Sequence, residues 1–100
     1  MERVDLGRLK VLAIFRTEKN SQIVGGRVID GRVEADSLIE VRRDKELLAE
    51  GKLAKLQIAK QDVTIVEASQ ECGISYQGKP VIQIDDILQF YKMEKVHPVK

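Results

Sequence analysis

The chain's one thiol, Cys72, stands between a carboxylate and a glycine in Glu71-Cys72-Gly73, and its one imidazole is His97, beside Pro98 near the C-terminus. A thiolate and an imidazole can act as nucleophile and base, but the histidine must then be oriented by a third group. Nothing in the sequence supplies one, and His97 reads as part of a tail. One cysteine and one histidine cannot form the usual multi-ligand zinc cluster, and a lone cysteine excludes an internal disulfide, which points to a reducing compartment. Asp44 and the pair Asp85-Asp86 sit in predicted turns, where carboxylates cap the backbone and face solvent. No GxxxxGK[ST] run is present, and Gly25, Gly26 and Gly31 lack the βαβ setting of a dinucleotide fingerprint, so no nucleotide site is expected. The Glu-Cys-Gly triplet has two readings. One is a buried thiol in a core strand, with Gly73 easing curvature; the other is a small, soft contact surface with bared backbone.

The cations are distributed in groups: Arg8, Lys10, Arg16 and Lys19 early, Arg27 and Arg32 next, then Arg42, Arg43 and Lys45, and finally Lys52, Lys55 and Lys60. Brought together they could meet a phosphate backbone; taken separately, each group is ordinary surface charge. Seventeen Lys and Arg against 16 Asp and Glu leave a net charge of +1, so there is no global pull toward nucleic acid or anionic membrane, and any RNA contact needs a local patch. No uncharged run reaches the roughly 18 residues of a membrane span, and charges interrupt the first 20 positions where a signal core would lie. A soluble, intracellular protein is expected.

A chain of 100 residues has room for one domain, and its 43% apolar content, with 21 Val and Ile and four aromatics, favours strands around an aliphatic core. Residues 1–7 read as a linker or lead-in. Leu9, Val11, Ala13 and Phe15 alternate and predict a strand over about 8–16, with Leu12 and Ile14 on its other face. Asp30-Gly31 predicts a tight hairpin turn between Val28-Ile29 and Arg32-Val33, and Gly25-Gly26 predicts a bulge, bend or close backbone approach. Leu38–Val41 is a further strand, ending in a reversal at Arg43-Asp44-Lys45. Residues 46–60 are ambiguous: Ala49, Leu53, Leu56 and Ala59 recur at helical spacing and tip the period toward a helix, while Leu47, Ala49, Gly51 and Leu53 also alternate. Val63 and Ile65 mark a short extended run, Cys72, Ile74 and Tyr76 a strand over 71–77, and Leu88 and Phe90 a closing strand over about 87–95. Strands of this length with glycine-marked turns predict an all-β fold, a small closed β-barrel of six to seven mostly antiparallel strands over 8–96, followed by a flexible tail at 97–100.

In order, VLAIF, IVGGRVIDGRV, RRDK, LLAEGKLAKLQIAKQDV, VEASQECGI and DILQFYKMEKV span about Leu9 to Val96. This succession closely resembles the C-terminal, initiator-tRNA-binding domain of bacterial or organellar translation initiation factor 2. The resemblance implies a barrel similar to domain 2 of elongation factor Tu, with residues 46–60 extended instead of helical. It also implies a noncatalytic domain that binds the formylmethionyl acceptor end of initiator tRNA and meets the ribosome through the full-length factor. GTP and Mg would be held by a separate GTPase domain. A monomer without membrane contact is implied, in the bacterial cytoplasm or an organellar matrix or stroma.

Carried over by position, the tRNA-binding residues are Gly26, Gln57, Ile58, Ala59, Lys60, Glu71, Cys72 and Gly73, with Lys55 and Lys60 as phosphate contacts. The chain departs from the family in two places. A second family cysteine falls at Gly26, and a Lys-Arg-aromatic trio falls at Gln57, Ile58 and Ala59, so Ile58 cannot donate a hydrogen bond and Ala59 cannot form an aromatic wall. Two functions stay open: initiator-tRNA binding through an altered pocket, or a barrel kept as a structural or protein-docking domain. A pocket open beside 57–60 and 71–73 favours the first; a collapsed apolar site around Ile58 and Ala59 favours the second. An enzyme would need a depressed thiol pKa with an ordered base nearby.

Overall fold

Apolar residues at every second position give each segment one side that must leave water, and antiparallel pairing lets those sides face one another. The computed structural model describes residues 2–94, and every regular element in that span is a strand. These are β1 (Glu2–Thr17), β2 (Ser21–Glu34), β3 (Leu38–Arg43), β4 (Glu46–Ile58), β5 (Gln61–Asp62), β6 (Ile65–Glu67), β7 (Glu71–Gly78) and β8 (Ile87–Glu94). All pairings are antiparallel and run in the order β1-β8-β3-β4-β7-β2, and β2 pairs back with β1, so six strands form a ring. The short β5 and β6 hang from β4 and β2. Inside the ring, Leu9, Val11, Ile39, Tyr76, Leu88 and Phe90 are sealed from solvent.

Several expectations change. Residues 2–7 are no lead-in: β1 begins at Glu2 and pairs Glu2 to Asp5 with Glu94 to Tyr91 of β8. The helical period over 46–60 gives way to the alternating one, because β4 is needed between β3 and β7 to complete the ring. Within it, Gly51 lies against the Tyr76 ring, where a side chain has no room. Asp30-Gly31 is not a hairpin turn. β2 runs through it, and the positive φ of Gly31 (63°) bends the strand as it passes from β1 to β6. The chain reverses earlier, over residues 18–20, where the Glu18 N–H donates to the Ser21 carbonyl. The reversal at Asp44-Lys45 does form, with both residues left-handed (φ 51° and 71°), as a two-residue primed turn requires. The ring has six strands, within the six to seven expected; the described residues hold eight because the extended run after β4 divides into β5 and β6, which lie off the ring. The tail at 97–100 lies outside the described residues.

Three polar clusters fasten the ring. Glu40, buried on β3, accepts two hydrogen bonds of 2.8 Å from the Arg3 guanidinium and one of 3.0 Å from Arg42, while Arg3 also lies 4.1 Å from the Tyr91 ring centre. This ties the start of β1 to β3 and β8. The buried Gln22 side chain acts as a spare peptide group: its amide donates to the Ile82 carbonyl (3.1 Å) and its oxygen accepts from the Ile82 N–H (2.9 Å). Asp86, also buried, accepts two 2.8 Å bonds from Arg43 and one from the Gln83 N–H. Together they hold the connection between β7 and β8 against the ring. Among the described residues no buried side-chain polar atom lacks a partner.

The Arg3 hydrogen bonds hold the Glu40 carboxyl below its ordinary value of 4.5, against the opposing effect of burial. The unfolded chain therefore takes up the proton first, and the stabilisation from Glu40 is complete above about pH 4.5 and lost as pH falls through the native pKa. Urea unfolding between pH 3 and 6 should show this acid-side loss in the natural chain, and a shallower slope in Glu40→Gln.

Candidate functional site

Register places four strands side by side on one outer face of the ring, in the order β4, β7, β2, β1. One row across that face has almost no side chains: Gln57 on β4 opposes Gly73 on β7, Gly73 opposes Gly25 on β2, and Gly25 opposes Ala13 on β1. On one side of it lies the row Lys55, Ser75, Ile23 and Arg16, and on the other the exposed row Glu71, Arg27 and Lys10. The bare row is a trough. Phe15 leans into it, with ring atoms 2.9 and 3.1 Å from where a Cβ on Gly25 would stand, so glycine lets the ring settle where a side chain would push it aside. The ring is 67% exposed.

Two hollows flank this ring. The larger, about 430 Å³, is lined by Phe15, Ile23, Lys55, Gln57, Ala59 and Lys60 together with Gly73, Ile74 and Ser75. The smaller, about 270 Å³, is bounded by Leu12, Ala13, Gly25, Gly26, Glu71 and Cys72, and shares Phe15, Ala59 and Gly73 with its neighbour.

Most residues singled out from the sequence therefore converge. Gly26 pairs directly with Cys72, Glu71 with Arg27, and Gly73 with Gln57. Lys55, Gln57, Ala59 and Lys60 border the larger hollow. Ile58 does not join them: one position on from outward-facing Gln57, it packs on the core. The turn from β4 to β5 sits at Ala59-Lys60, both left-handed (φ 50° and 68°), and Gln57 closes it by donating to Asp62 Oδ1 at 2.9 Å. Neither Lys55 nor Lys60 has a carboxylate within 4.0 Å among the described residues, whereas Arg8, Arg42 and Arg43 are paired.

Phe15, Leu12 and Ile23 escaped the sequence reading, which assigned Phe15 to the alternating core face of the first strand. Leu9 and Val11 are in the core, but a register shift between Val11 and Ala13 breaks the alternation, and Phe15 ends outside. The signal available was the polar run Arg16 to Ser21 directly after it, which marks the end of the apolar pattern.

No protein-family model matches the chain. Over 91 residues, 91% of its length, it is 35% identical to translation initiation factor IF-2 of Thermotoga sp. strain RQ2, 38% to that of Fusobacterium nucleatum and 36% to that of Geotalea daltonii. The match covers 13%, 12% and 10% of those proteins respectively. The chain is homologous to a segment of IF-2. That segment corresponds to the noncatalytic C-terminal region of the factor, and the chain spans only about an eighth to a tenth of the relatives it matches.

Among the described residues no group of three or more His, Cys, Asp or Glu could hold a metal ion. Cys72 is buried, and burial pushes its thiol up to about 11. That is the reverse of what nucleophilic catalysis needs. The Cys72 side chain packs in the core with Ile74 and Tyr76, and its main chain borders the smaller hollow between outward-facing Glu71 and Gly73. At pH 8 its alkylation by iodoacetamide should run on the order of a hundredfold slower in the folded chain than in urea, following the thiolate fraction; equal rates would contradict this placement.

Gly26 is crowded: a Cβ there would press on the Lys10 carbonyl and the Leu9 side chain. Gly26→Ala should lower stability by about 2 kcal/mol, an overpacking cost set by backbone that cannot swing aside. Equilibrium urea unfolding measures it.

Proposed function

We propose that this chain is the initiator-tRNA-binding domain of a bacterial IF-2, and that the trough on β4, β7, β2 and β1 receives the formylmethionyl end of the acceptor strand. In this reading the six-stranded ring is a closed barrel similar to domain 2 of elongation factor Tu. It works as a monomeric module in the cytoplasm, meeting the ribosome through the full-length factor while a separate domain binds GTP and Mg.

The observation that carries the proposal is the convergence of Gly26, Gly73, Cys72, Glu71 and Lys60 around one open trough, in a chain homologous to IF-2. A blocked amino acid is small and mostly neutral, and a floor of side-chain-free strand gives it room and close main-chain contact without a fixed charge beneath it. Glu71 at the rim can accept a formamide N–H. Lys55 and Lys60, free of carboxylate partners among the described residues, suit the phosphates of the strand that leads in. Phe15 supplies from β1 the aromatic surface that Ala59 cannot. The alternative, a docking domain with its pocket lost, called for a collapsed apolar site around Ile58 and Ala59. Only Ile58 is turned inward, and the space beside Ala59 is open.

The test is titration of the ¹⁵N-labelled chain with formylmethionyl initiator tRNA, unformylated methionyl initiator tRNA and an elongator aminoacyl-tRNA. Saturable shifts at Gly26, Gln57 to Lys60 and Glu71 to Gly73, tightest with the formylated species, are expected. In Lys55→Gln/Lys60→Gln the affinity should drop and the slope of log K against log salt should flatten by about 1.4, the value for two lost phosphate contacts on a single strand. Equal, weak binding of all three tRNAs that disappears with salt would overturn the proposal.

A further inference from the structure

The cations of this chain divide by what they touch. Every lysine and arginine on β1 and β3 has a carboxylate within 4.0 Å: Arg3, Arg8, Lys10, Arg16, Arg42 and Arg43. Most of those without such a partner among the described residues follow one course along β4 and β7, with only Arg27 and Lys45 standing off it. The course starts at Lys60 and Lys55 beside the larger hollow, passes Lys52 and ends at Lys79 and Lys19. Resting on the reading above, we infer that its far part, Lys52, Lys79 and Lys19, is a second RNA contact outside the trough, which holds phosphates of the base-paired stem that carries the 3′ end.

Register brings the three lysines together. Leu53, Tyr76 and Gln22 are buried, so their neighbours Lys52, Gln77 and Ser21 share the outer surface, and these three pair across β4, β7 and β2. The Gly78 N–H donates to the Asn20 carbonyl at 2.9 Å, which seats the β1–β2 reversal against the end of β7 and brings Lys19 and Lys79, each one residue away, to the same place. At the rise of a strand, the row of Lys52 lies about 13 Å and the end of β7 about 16 Å from Gly73 in the trough. These lysines therefore serve phosphates other than those at the trough's edge. The carboxylates nearby leave the strip positive: Glu18 is engaged by Arg16 at 2.7 Å and accepts from the Ser21 hydroxyl at 3.3 Å, and Glu50 lies past Gly51, where it marks the strip's end on β4. Between Lys52 and Lys19 the surface is Gln77 and Ser21, polar and uncharged, with no aromatic ring on which a base could stack. Lysines spread in this manner are mobile point charges that bind backbone without reading sequence, which is what a paired stem offers a surface. The strip also gives the RNA a direction, away from the Glu71 side of the trough and toward Gly78.

Binding of formylmethionyl initiator tRNA to the intact chain, followed as salt is raised, tests this with Lys19→Gln/Lys52→Gln/Lys79→Gln. All three side chains are exposed, so the urea midpoint of the variant should match that of the natural chain. The slope of log K against log salt should flatten by about 2 to 3, as three lost phosphate contacts require. Unformylated initiator tRNA should show the same flattening, because contact with the stem is blind to the acyl group. The formylmethionyl ester of cytidylyl-cytidylyl-adenosine carries no stem and should bind the natural chain and the variant with equal affinity. An unchanged slope with the tRNA, or an equal loss with the trinucleotide ester, would overturn the stem contact and leave the reading of the trough standing. Failure of both to bind the natural chain would instead remove the function on which the stem contact rests.

Discussion

Everything in this fold depends on one strand serving two neighbours. β1 is 16 residues long, and its pairing with β8 through residues 2–10 overlaps its pairing with β2 from Gly7 onward. A flat strand could not do both. The register shifts at Asp5/Gly7, Arg8/Leu9 and Val11/Ala13 coil it so that successive stretches face successive partners, and the ring closes there. Closure gives the apolar side chains of all six strands a single interior and leaves no long edge exposed. It also sets where the outer face is smooth, because the same shift that turns Val11 inward brings Ala13 and Phe15 over the glycines of β2 and β7.

Polar groups then hold what the apolar core cannot specify. The connection from β7 to β8 has no regular pairing of its own, yet Gln22 and Arg43 engage Ile82, Val81 and Asp86, and Val11 exchanges backbone hydrogen bonds with Asp85 and Asp86. These contacts reach across more than 35 positions of sequence, from residues 22 and 43 to residues 81–86. The start of β1 is fixed in the same manner by a carboxylate, Glu40, that would be costly to bury without Arg3 and Arg42.

The strands whose apolar residues alternate cleanly, at 71–77 and 87–95, could be read from the sequence because periodicity is a local signal. So could the left-handed reversal at Asp44-Lys45, though lysine is a poor residue for it. What was not legible depended on partners. Residues 46–60 carry helical and alternating periods at once, and only the need for a strand between β3 and β7 decides between them. Gly31 has the left-handed φ that a turn residue would have, but spends it on a bend within β2, a distinction that requires knowing that Gly7 lies opposite. The site was legible as a set of residues through family resemblance. Its geometry was not, since neither the pairing of Gly25 with Gly73 nor the outward turn of Phe15 is written in any one segment.

The bare row across β4, β7, β2 and β1 changes what substitution can do to this surface. Its floor is made of peptide groups, identical whatever residue carries them, so exchanging one side chain for another at its margins leaves the floor's hydrogen-bonding pattern in place. Lineages can therefore drift at positions such as Gln57 and Ala59 while the main-chain surface stays constant. The vulnerable direction is addition: a methyl group at Gly26 meets the Lys10 carbonyl and the Leu9 side chain at once, while one at Gly25 displaces only the Phe15 ring, so the face is protected by what must stay absent.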